Sequence, residues 1–396
     1  MIPQANRLQQ VQEYYFSRKL REVRQLAAEG CPVINMGIGS PDLSPSPEVL
    51  QTLKDAVEEM GAHQYQSYQG LPELRQTIAA FYKHKFGVTL DPDSEVLPLM
   101  GSKEGIMHIS MAFLNPGDRV LIPDPGYPTY GSVTRLVGAQ PVTYSLSEAQ
   151  GWFPDLEALE ADGLDGVRLM WVSYPHMPTG ATADEGQFRE LVDFARRNDL
   201  LLVNDNPYSF VLSNRPLSIL ATPGAEGHVL ELNSLSKTFN MAGWRVGMLL
   251  GAAPLLQAVL KVKSNMDSGM FYGIQKGAIA ALRSGPGWFD HLDATYRRRR
   301  AGVFQIADRL GCTYDHRAVG MFVWARLPEG SPGSESFIDE LLHKKHLFVA
   351  PGTVFGRQGE GYIRFSLCVP EDKIREALRR LEPVRSEPKT LKNTEG

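Results

Sequence analysis

Cysteine is scarce in this chain of 396 residues: Cys31, Cys312 and Cys368 are all it has. Three thiols so far apart argue against a disulfide framework, and none of the paired spacings of a zinc site is present. The expectation is a reduced, cytoplasmic protein with no bound metal. Neither sign of charge is in excess. Forty-one Lys and Arg against 45 Asp and Glu give a formal net charge of -4, without the basic surplus that attracts nucleic acid or anionic lipid. Long hydrophobic runs are also missing. The longest, Val246 to Leu260, is interrupted by Pro254 and too short to span a bilayer, and the polar start, Met1 to Gln12, has no signal-peptide core. No repeat or low-complexity segment is found. Nucleic acid and membrane are therefore not expected partners.

What the chain does have is ordinary globular composition, 43% hydrophobic and 22% charged, at a length that suits a large α/β domain with a smaller companion. Its organising stretch is Glu231-Leu-Asn-Ser-Leu-Ser-Lys-Thr-Phe-Asn-Met-Ala-Gly-Trp-Arg-Val-Gly247. Two β-like runs, His228 to Leu232 and Arg245 to Leu250, flank a loop of small polar residues with Lys237 at its centre. A lysine on a turn between buried strands is disfavoured unless it is used. One use is a Schiff base to an aldehyde cofactor, because desolvation lowers the amine pKa. Arg245, placed by this reading on the next strand, is close enough to grip an anion. An exposed loop lysine is the plain alternative.

Upstream, Ser17 to Glu29 has helical spacing and stops at Gly30, a short strand runs from Val33 to Met36, and Gly37-Ile-Gly-Ser-Pro-Asp42 follows as a turn or a ligand-approach loop. Ser46-Pro47 opens a helix that Gly61 is expected to close. Another helix spans Pro72 to Phe86. From Glu95 onward, apolar runs at Val96 to Met100, Arg119 to Ile122, Val167 to Val172, Leu200 to Val203 and His228 to Leu232 alternate with helices such as Lys103 to Leu114 and Asp184 to Arg197. That alternation predicts a mainly parallel sheet covered on both faces, with ligands at the strand ends. After Pro286 come a long helix, a strand at Met321 to Arg326, a helix at Gly333 to Lys345, a strand at Tyr362 to Leu367 and a last helix from Pro370 to Leu381. The arginine run from Arg297 to Arg300 in the long helix reads as a solvated face. The division expected is 47–285 for the large domain, 1–46 with 286–385 for the small one, and 386–396 as a flexible tail.

The strand ends carry the candidate chemistry. Gly101-Ser-Lys-Glu-Gly105 opens a helix whose free N–H groups can cradle phosphate. Asp124-Pro-Gly-Tyr-Pro-Thr-Tyr130 can present Tyr127 as a flat plate, or be only a rigid turn. Tyr174-Pro-His-Met-Pro-Thr-Gly180 is another proline-stiffened loop. In Asp205-Asn-Pro-Tyr208 a carboxylate leaves a buried run with a phenol three residues on; it can serve a protonated pyridine nitrogen or merely cap a turn.

In this order and at these intervals the motifs resemble the fold type I, class I/II aminotransferases, from about Ser17 to Leu381. The resemblance implies a fold type I pyridoxal-phosphate transferase: an α/β large domain whose mainly parallel, seven-stranded sheet is sandwiched by helices, plus a smaller α+β domain. It implies pyridoxal 5'-phosphate as cofactor and transfer of an amino group from an L-amino acid to a 2-oxo acid, 2-oxoglutarate being the expected acceptor. It also implies a homodimer with shared active sites. Lys237 then matches the Schiff-base lysine, Asp205 the pyridinium partner, Tyr208 the phenol on the ring oxygen and Tyr127 the stacking aromatic. Ser102, Lys103, Ser234, Ser236 and Arg245 match the phosphate cup, and Tyr65 matches a tyrosine that reaches the neighbouring subunit's phosphate. Gly39 and Arg364 match the site of the substrate carboxylate, and Lys263-Ser-Asn-Met-Asp-Ser-Gly269 matches a dimer-contact segment.

One position departs from the pattern: Met177 stands where such enzymes carry an asparagine, and a thioether is a weak acceptor that donates nothing. Carboxylate recognition is then expected to lean on Arg364 and Gly39. A β-lyase or decarboxylase on the same scaffold, and a non-catalytic cofactor-binding protein, are the rival readings. Glu13-Tyr-Tyr-Phe-Ser17 and Asp267-Ser-Gly-Met-Phe271 are similar to enzymes acting on diaminopimelate, aspartate, alanine or aromatic amino acids, with no order among them.

Overall fold

The structure, a computed structural model, describes residues 2–10 and 15–382. The tail 386–396 and the first two residues of the Glu13 to Ser17 motif lie outside the described residues. Strand β1 (Ile34–Asn35) comes first, followed by β2 (Val96–Leu99), β3 (Arg119–Asp124), β4 (Gln140–Ser145), β5 (Val167–Val172), β6 (Leu201–Asp205), β7 (Val229–Ser234) and β8 (Gly247–Gly251). Seven of these form one sheet in the order β2-β8-β7-β6-β5-β3-β4. Pairing from β7 through to β4 is parallel, and β8 runs antiparallel to both β7 and β2. The inner strands β5 to β8 are buried almost throughout, as strands covered on both faces must be. Sequence pattern missed β4, because this edge strand alternates only weakly and is mostly exposed or half-buried.

Helices of the sandwich start where capping chemistry permits. Ser46 accepts from the Val49 N–H at the head of helix Pro47–Glu58, and Asp184 and Gln187 form a capping box on Glu185–Arg197. Gly61 does not close the first of these helices: Glu59 ends it, and Gly61 sits in the following turn at φ 92°. Helix Pro72–Phe86 has its expected bounds and ends on Gly87 at φ 72°.

The second part of the chain builds a smaller sheet from β9 (Thr313–Tyr314), β10 (Phe322–Arg326), β12 (Ala350–Pro351) and β13 (Tyr362–Ser366), in the order β12-β13-β10-β9. Strand β11 (Leu347–Phe348) pairs in parallel with β1. The 24-residue helix Pro286–Arg309 lies against helix Glu371–Leu381. Its arginine run is not the uniformly solvated face expected from sequence. Arg297 and Arg298 are exposed, but Arg299 is buried and bonds both carboxylate oxygens of Asp42 at 2.6 and 2.8 Å, while Arg300 donates to the Ala318 carbonyl. One turn of helix advances about 100° per residue, so four consecutive arginines cannot share one environment.

Candidate active site

At the carboxyl ends of the parallel strands lies a cavity of about 600 Å³. Ser102, Lys103, Tyr127, Met177, Asp205, Tyr208, Ser234, Ser236, Lys237, Arg245, Gly39 and Arg364 all line it. Tyr65 does not. It is 91% exposed on the loop between helices Pro47–Glu58 and Pro72–Phe86.

Lys237 sits on a four-residue helix, Leu235–Thr238, joined directly to β7 and capped by Ser234, whose hydroxyl accepts from the Ser236 N–H. Burial holds its ammonium pKa below the ordinary lysine value. Its Nζ donates to the Gly39 carbonyl at 2.6 Å, so the amine is already aimed at the glycine loop. Arg245 is not on the next strand. It occupies the turn before β8 at φ 58°, ψ 58°, and donates to the Ala242 carbonyl, with the Ser236 hydroxyl 3.5 Å away.

Opposite Arg245 the helix Ser102–Phe113 begins. Gly101 precedes it at φ 87°, and a Cβ there would run into the Arg245 guanidinium. A helix N-terminus, two serine hydroxyls and an arginine therefore converge on one small volume, the donor set that an anionic phosphate requires.

Asp205 ends β6. Its Oδ2 accepts from the Tyr130 hydroxyl at 2.8 Å, while its Oδ1 is buried with no hydrogen-bond partner among the described residues. Burial raises this carboxyl from 3.8 to about 6. Such an orphaned acceptor on a cavity wall fits a cationic ring N–H, which would restore the ionised form. Pyridoxal phosphate satisfies the whole set: an aldehyde for Lys237, a phosphate for the cradle and a pyridine nitrogen for Asp205. Tyr130 was not singled out in the sequence, although it lies three residues after Tyr127, in the first turn of helix Thr129–Leu136. It stacks on Trp171 at 4.9 Å with 5° between planes and meets the Tyr127 ring edge-on at 5.6 Å, so it fixes the carboxylate and braces the plate together.

On the far side, Arg364 projects from β13, its guanidinium held between the rings of Phe322 (3.9 Å) and Phe355 (4.5 Å). Nη2 donates to the Gly37 carbonyl at 2.8 Å, and Nη1 lies 3.4 Å from the Met177 sulfur. Met177 thus faces the arginine directly. The loop that presents it is closed by its own bonds: His176 N–H to the Ala181 carbonyl, Gly180 N–H to the His176 carbonyl, and His176 Nδ1 to the Thr179 hydroxyl. Burial lowers the His176 pKa from 6.5 to about 4, so that ring is neutral at physiological pH. Tyr208 lies against Phe322, and burial pushes its phenol far above the ordinary value.

Comparison with known proteins finds relatives along nearly the whole chain. The family described as aminotransferase class I and II matches residues 32–381. The LL-diaminopimelate aminotransferase of Nitratidesulfovibrio vulgaris is 40% identical over 381 residues, covering 95% of this chain and 98% of that one. The enzyme of the same name from Dehalococcoides mccartyi is 39% identical over 385 residues, 97% of this chain and 99% of its own. Among solved structures, substrate-bound BacF from Bacillus subtilis superposes with a TM-score of 0.92 at 33% identity, covering 96% and 97% of the two chains.

Proposed function

Because the chain belongs to the class I and II aminotransferase family, we propose that its amino donor is LL-diaminopimelate, its acceptor 2-oxoglutarate, and its cofactor lysine Lys237. Membership carries the coarser facts: a fold type I, pyridoxal-phosphate-dependent enzyme that moves an amino group between an amino acid and a 2-oxo acid. Support for the donor is the name shared by relatives about 40% identical along almost the whole chain. The observation that carries the site assignment is the buried, unpartnered Asp205 Oδ1 in the same cavity as Lys237 and Arg364.

In this reading Asp205 takes the cofactor's ring nitrogen, oriented by Tyr130, and Tyr208 donates to the ring oxygen. Tyr127 lies against the ring. Ser102 and Lys103, through backbone N–H groups, hold the phosphate with Ser234, Ser236 and Arg245. When bound, pyridoxal phosphate supplies an electron-withdrawing ring that accepts the electrons left when a substrate α-proton departs. Lys237 would carry that proton from the substrate α-carbon to the cofactor C4′, the relocation that amino-group transfer needs; its lowered pKa raises the neutral, basic fraction. Arg364 grips the α-carboxylate as a planar fork, with the Gly39 backbone beside it and Met177 against the guanidinium. Tyr65 is assigned to the neighbouring subunit's phosphate, which makes the working form a homodimer. The enzyme is assigned to the cytoplasm; among the described residues no helix is long and apolar enough to cross a membrane.

A donor panel tests the substrate. LL-diaminopimelate, aspartate, alanine and phenylalanine are each supplied with and without 2-oxoglutarate, and glutamate and keto acid are measured. LL-diaminopimelate is expected to give the highest kcat/KM and to need the acceptor for sustained turnover. A different donor ahead by tenfold removes the substrate assignment, and sustained keto-acid release without acceptor points to lyase chemistry.

A further inference from the structure

Beneath the phosphate cradle lies a cluster of ionisable groups, buried at His108 and Lys263 and half-buried at Glu104 and Asp267, that the proposed chemistry does not use. Glu104, in the first turn of helix Ser102–Phe113, accepts the Met100 N–H at 2.6 Å, and its other oxygen lies 3.2 Å from His108 Nε2 one turn later. The same imidazole nitrogen is 4.0 Å from Asp267 Oδ2. Asp267 binds the Lys263 ammonium through both oxygens, at 2.8 and 2.6 Å, and Lys263 is 1% exposed. Three of these groups are close enough to share a metal ion. The lysine already supplies a cation to Asp267, however, so the cluster is read as an internal ion network.

The network ends on the loop that bears Tyr65. Asp267 Oδ1 also accepts the Gly269 N–H at 2.8 Å. Gly269 lies so close to the next loop that a Cβ would stand 2.5 Å from the Gln66 carbonyl oxygen and 2.8 Å from that of Ser67. Two further ties hold the same pair of segments. Gln275 donates to the Met270 carbonyl and accepts the Leu71 N–H, both at 2.7 Å, and the His63 ring stacks on Phe271 at 6.1 Å. Tyr65, in the middle of this clamped loop, is left exposed and outside its own subunit's cavity.

We propose that Glu104, His108, Asp267 and Lys263 are positioning residues that register the Tyr65 loop against the cradle helix, so that this cluster in one subunit sets how well its Tyr65 serves the neighbouring subunit's phosphate. This rests on the reading of Tyr65 as a residue acting across a dimer. Rigid registration matters because a phosphate contact displaced by an ångström loses most of its value. The network is built to resist such displacement: His108 and Lys263 are buried, Asp267 grips the lysine through both oxygens, and it ends on a glycine that admits no side chain.

Mixed dimers test it. One subunit carries Lys237→Ala, leaving a single unaltered lysine site, whose neighbouring Tyr65 comes from the Lys237→Ala subunit. Asp267→Asn is placed either on that subunit or on the one with the intact lysine, and Tyr65→Phe is placed the same two ways. The readout is the rate at which pyridoxal phosphate leaves the intact site after dilution, alongside the melting temperature. Both substitutions are expected to speed release about tenfold when they sit on the Lys237→Ala subunit, and less than twofold on the other, at equal melting temperature. If Tyr65→Phe shows this dependence on placement and Asp267→Asn acts equally from either subunit, the positioning role is wrong and the cross-subunit reading stands. If neither depends on placement, or the protein is a monomer, the cross-subunit reading itself fails. Should Asp267→Asn not fold because Lys263 is left unpaired, the pair Lys263→Gln with Asp267→Asn and the milder His108→Gln are put through the same two placements, with the same outcomes deciding.

Discussion

A buried carboxylate with one oxygen unpaired makes the cofactor-free protein pH-sensitive in an unusual direction. Asp205 ionises at about 6 in the folded chain but near 3.8 when unfolded, so between those values the folded state holds the extra proton. Stability from this group is full below the unfolded pKa, declines as pH rises through the interval and stays low above it, a loss of about 3 kcal/mol on the general scale of 1.4 kcal/mol per pKa unit. Urea unfolding of the cofactor-free protein at pH 4 and pH 7 is expected to show that Asp205→Asn gains on the wild type at the higher pH, and that bound cofactor abolishes the difference. An unchanged gap between the two proteins at both pH values would count against the buried carboxylate as its source. Met177 gives a second prediction at this scale. Its sulfur meets Arg364 at 3.4 Å but donates no hydrogen bond. Met177→Asn restores a donor beside the substrate carboxylate and is expected to raise kcat/KM for the preferred donor about tenfold, worth ~1.4 kcal/mol; equal or poorer turnover with every donor would show that the thioether is the better fit. Lys237 and Asp205 could be singled out in sequence because each carries a charge at or just beyond the end of a buried run, whereas Arg364, in the middle of β13, was reached only through the resemblance. Tyr130 was not singled out, since its role depends on a partner 75 residues away.

Elements read well where burial is symmetrical and poorly where it is not. Strand β5 was recoverable to its last residue because it is nearly all buried, whereas β4, on the edge, offers little contrast between its faces. Turns before strands were the other weak point. Arg245 reads as the start of an apolar run, yet its positive φ puts it in the preceding turn, where the guanidinium can face the cradle instead of packing in the sheet. The short link from β2 to helix Ser102–Phe113 depends on Gly101 for two reasons: its φ of 87° is unfavourable for any side chain, and Arg245 occupies the space a Cβ would need. Gly101→Ala is therefore expected to weaken binding of pyridoxal phosphate by at least tenfold while leaving that of pyridoxal, which lacks the phosphate, within about twofold. Equal weakening of both ligands would place the damage outside the cradle. Titration of the cofactor-free protein by absorbance checks this directly.

At the scale of the whole molecule, the expected division into 47–285 and 1–46 with 286–385 remains our proposal, motivated by the two separate sheets and by β1 crossing to pair with β11. The arginine run supplies the most telling contact between distant parts of the chain. Arg299, on the long helix, grips Asp42 at the end of the glycine loop, and that loop offers the Gly37 carbonyl to Arg364 and the Gly39 carbonyl to Lys237. Sequence pattern could not reveal this, because the partners are 257 positions apart and an arginine run in a chain of net negative charge reads as solvated. The pair is asymmetric: the Arg299 side chain is 4% exposed and that of Asp42 25%. Removing one partner of a buried pair costs about 3–5 kcal/mol, because the other charge is stranded. Asp42→Asn strands the buried guanidinium and is expected to lower the melting temperature more than Arg299→Met, which strands a carboxylate that water can reach. Both variants loosen the loop at the substrate carboxylate but leave the phosphate cradle in place. KM for the amino donor should therefore rise about tenfold while the dissociation constant of pyridoxal phosphate moves less than twofold. A parallel loss of cofactor affinity would mean that the long helix supports the entire cavity, and not the glycine loop alone.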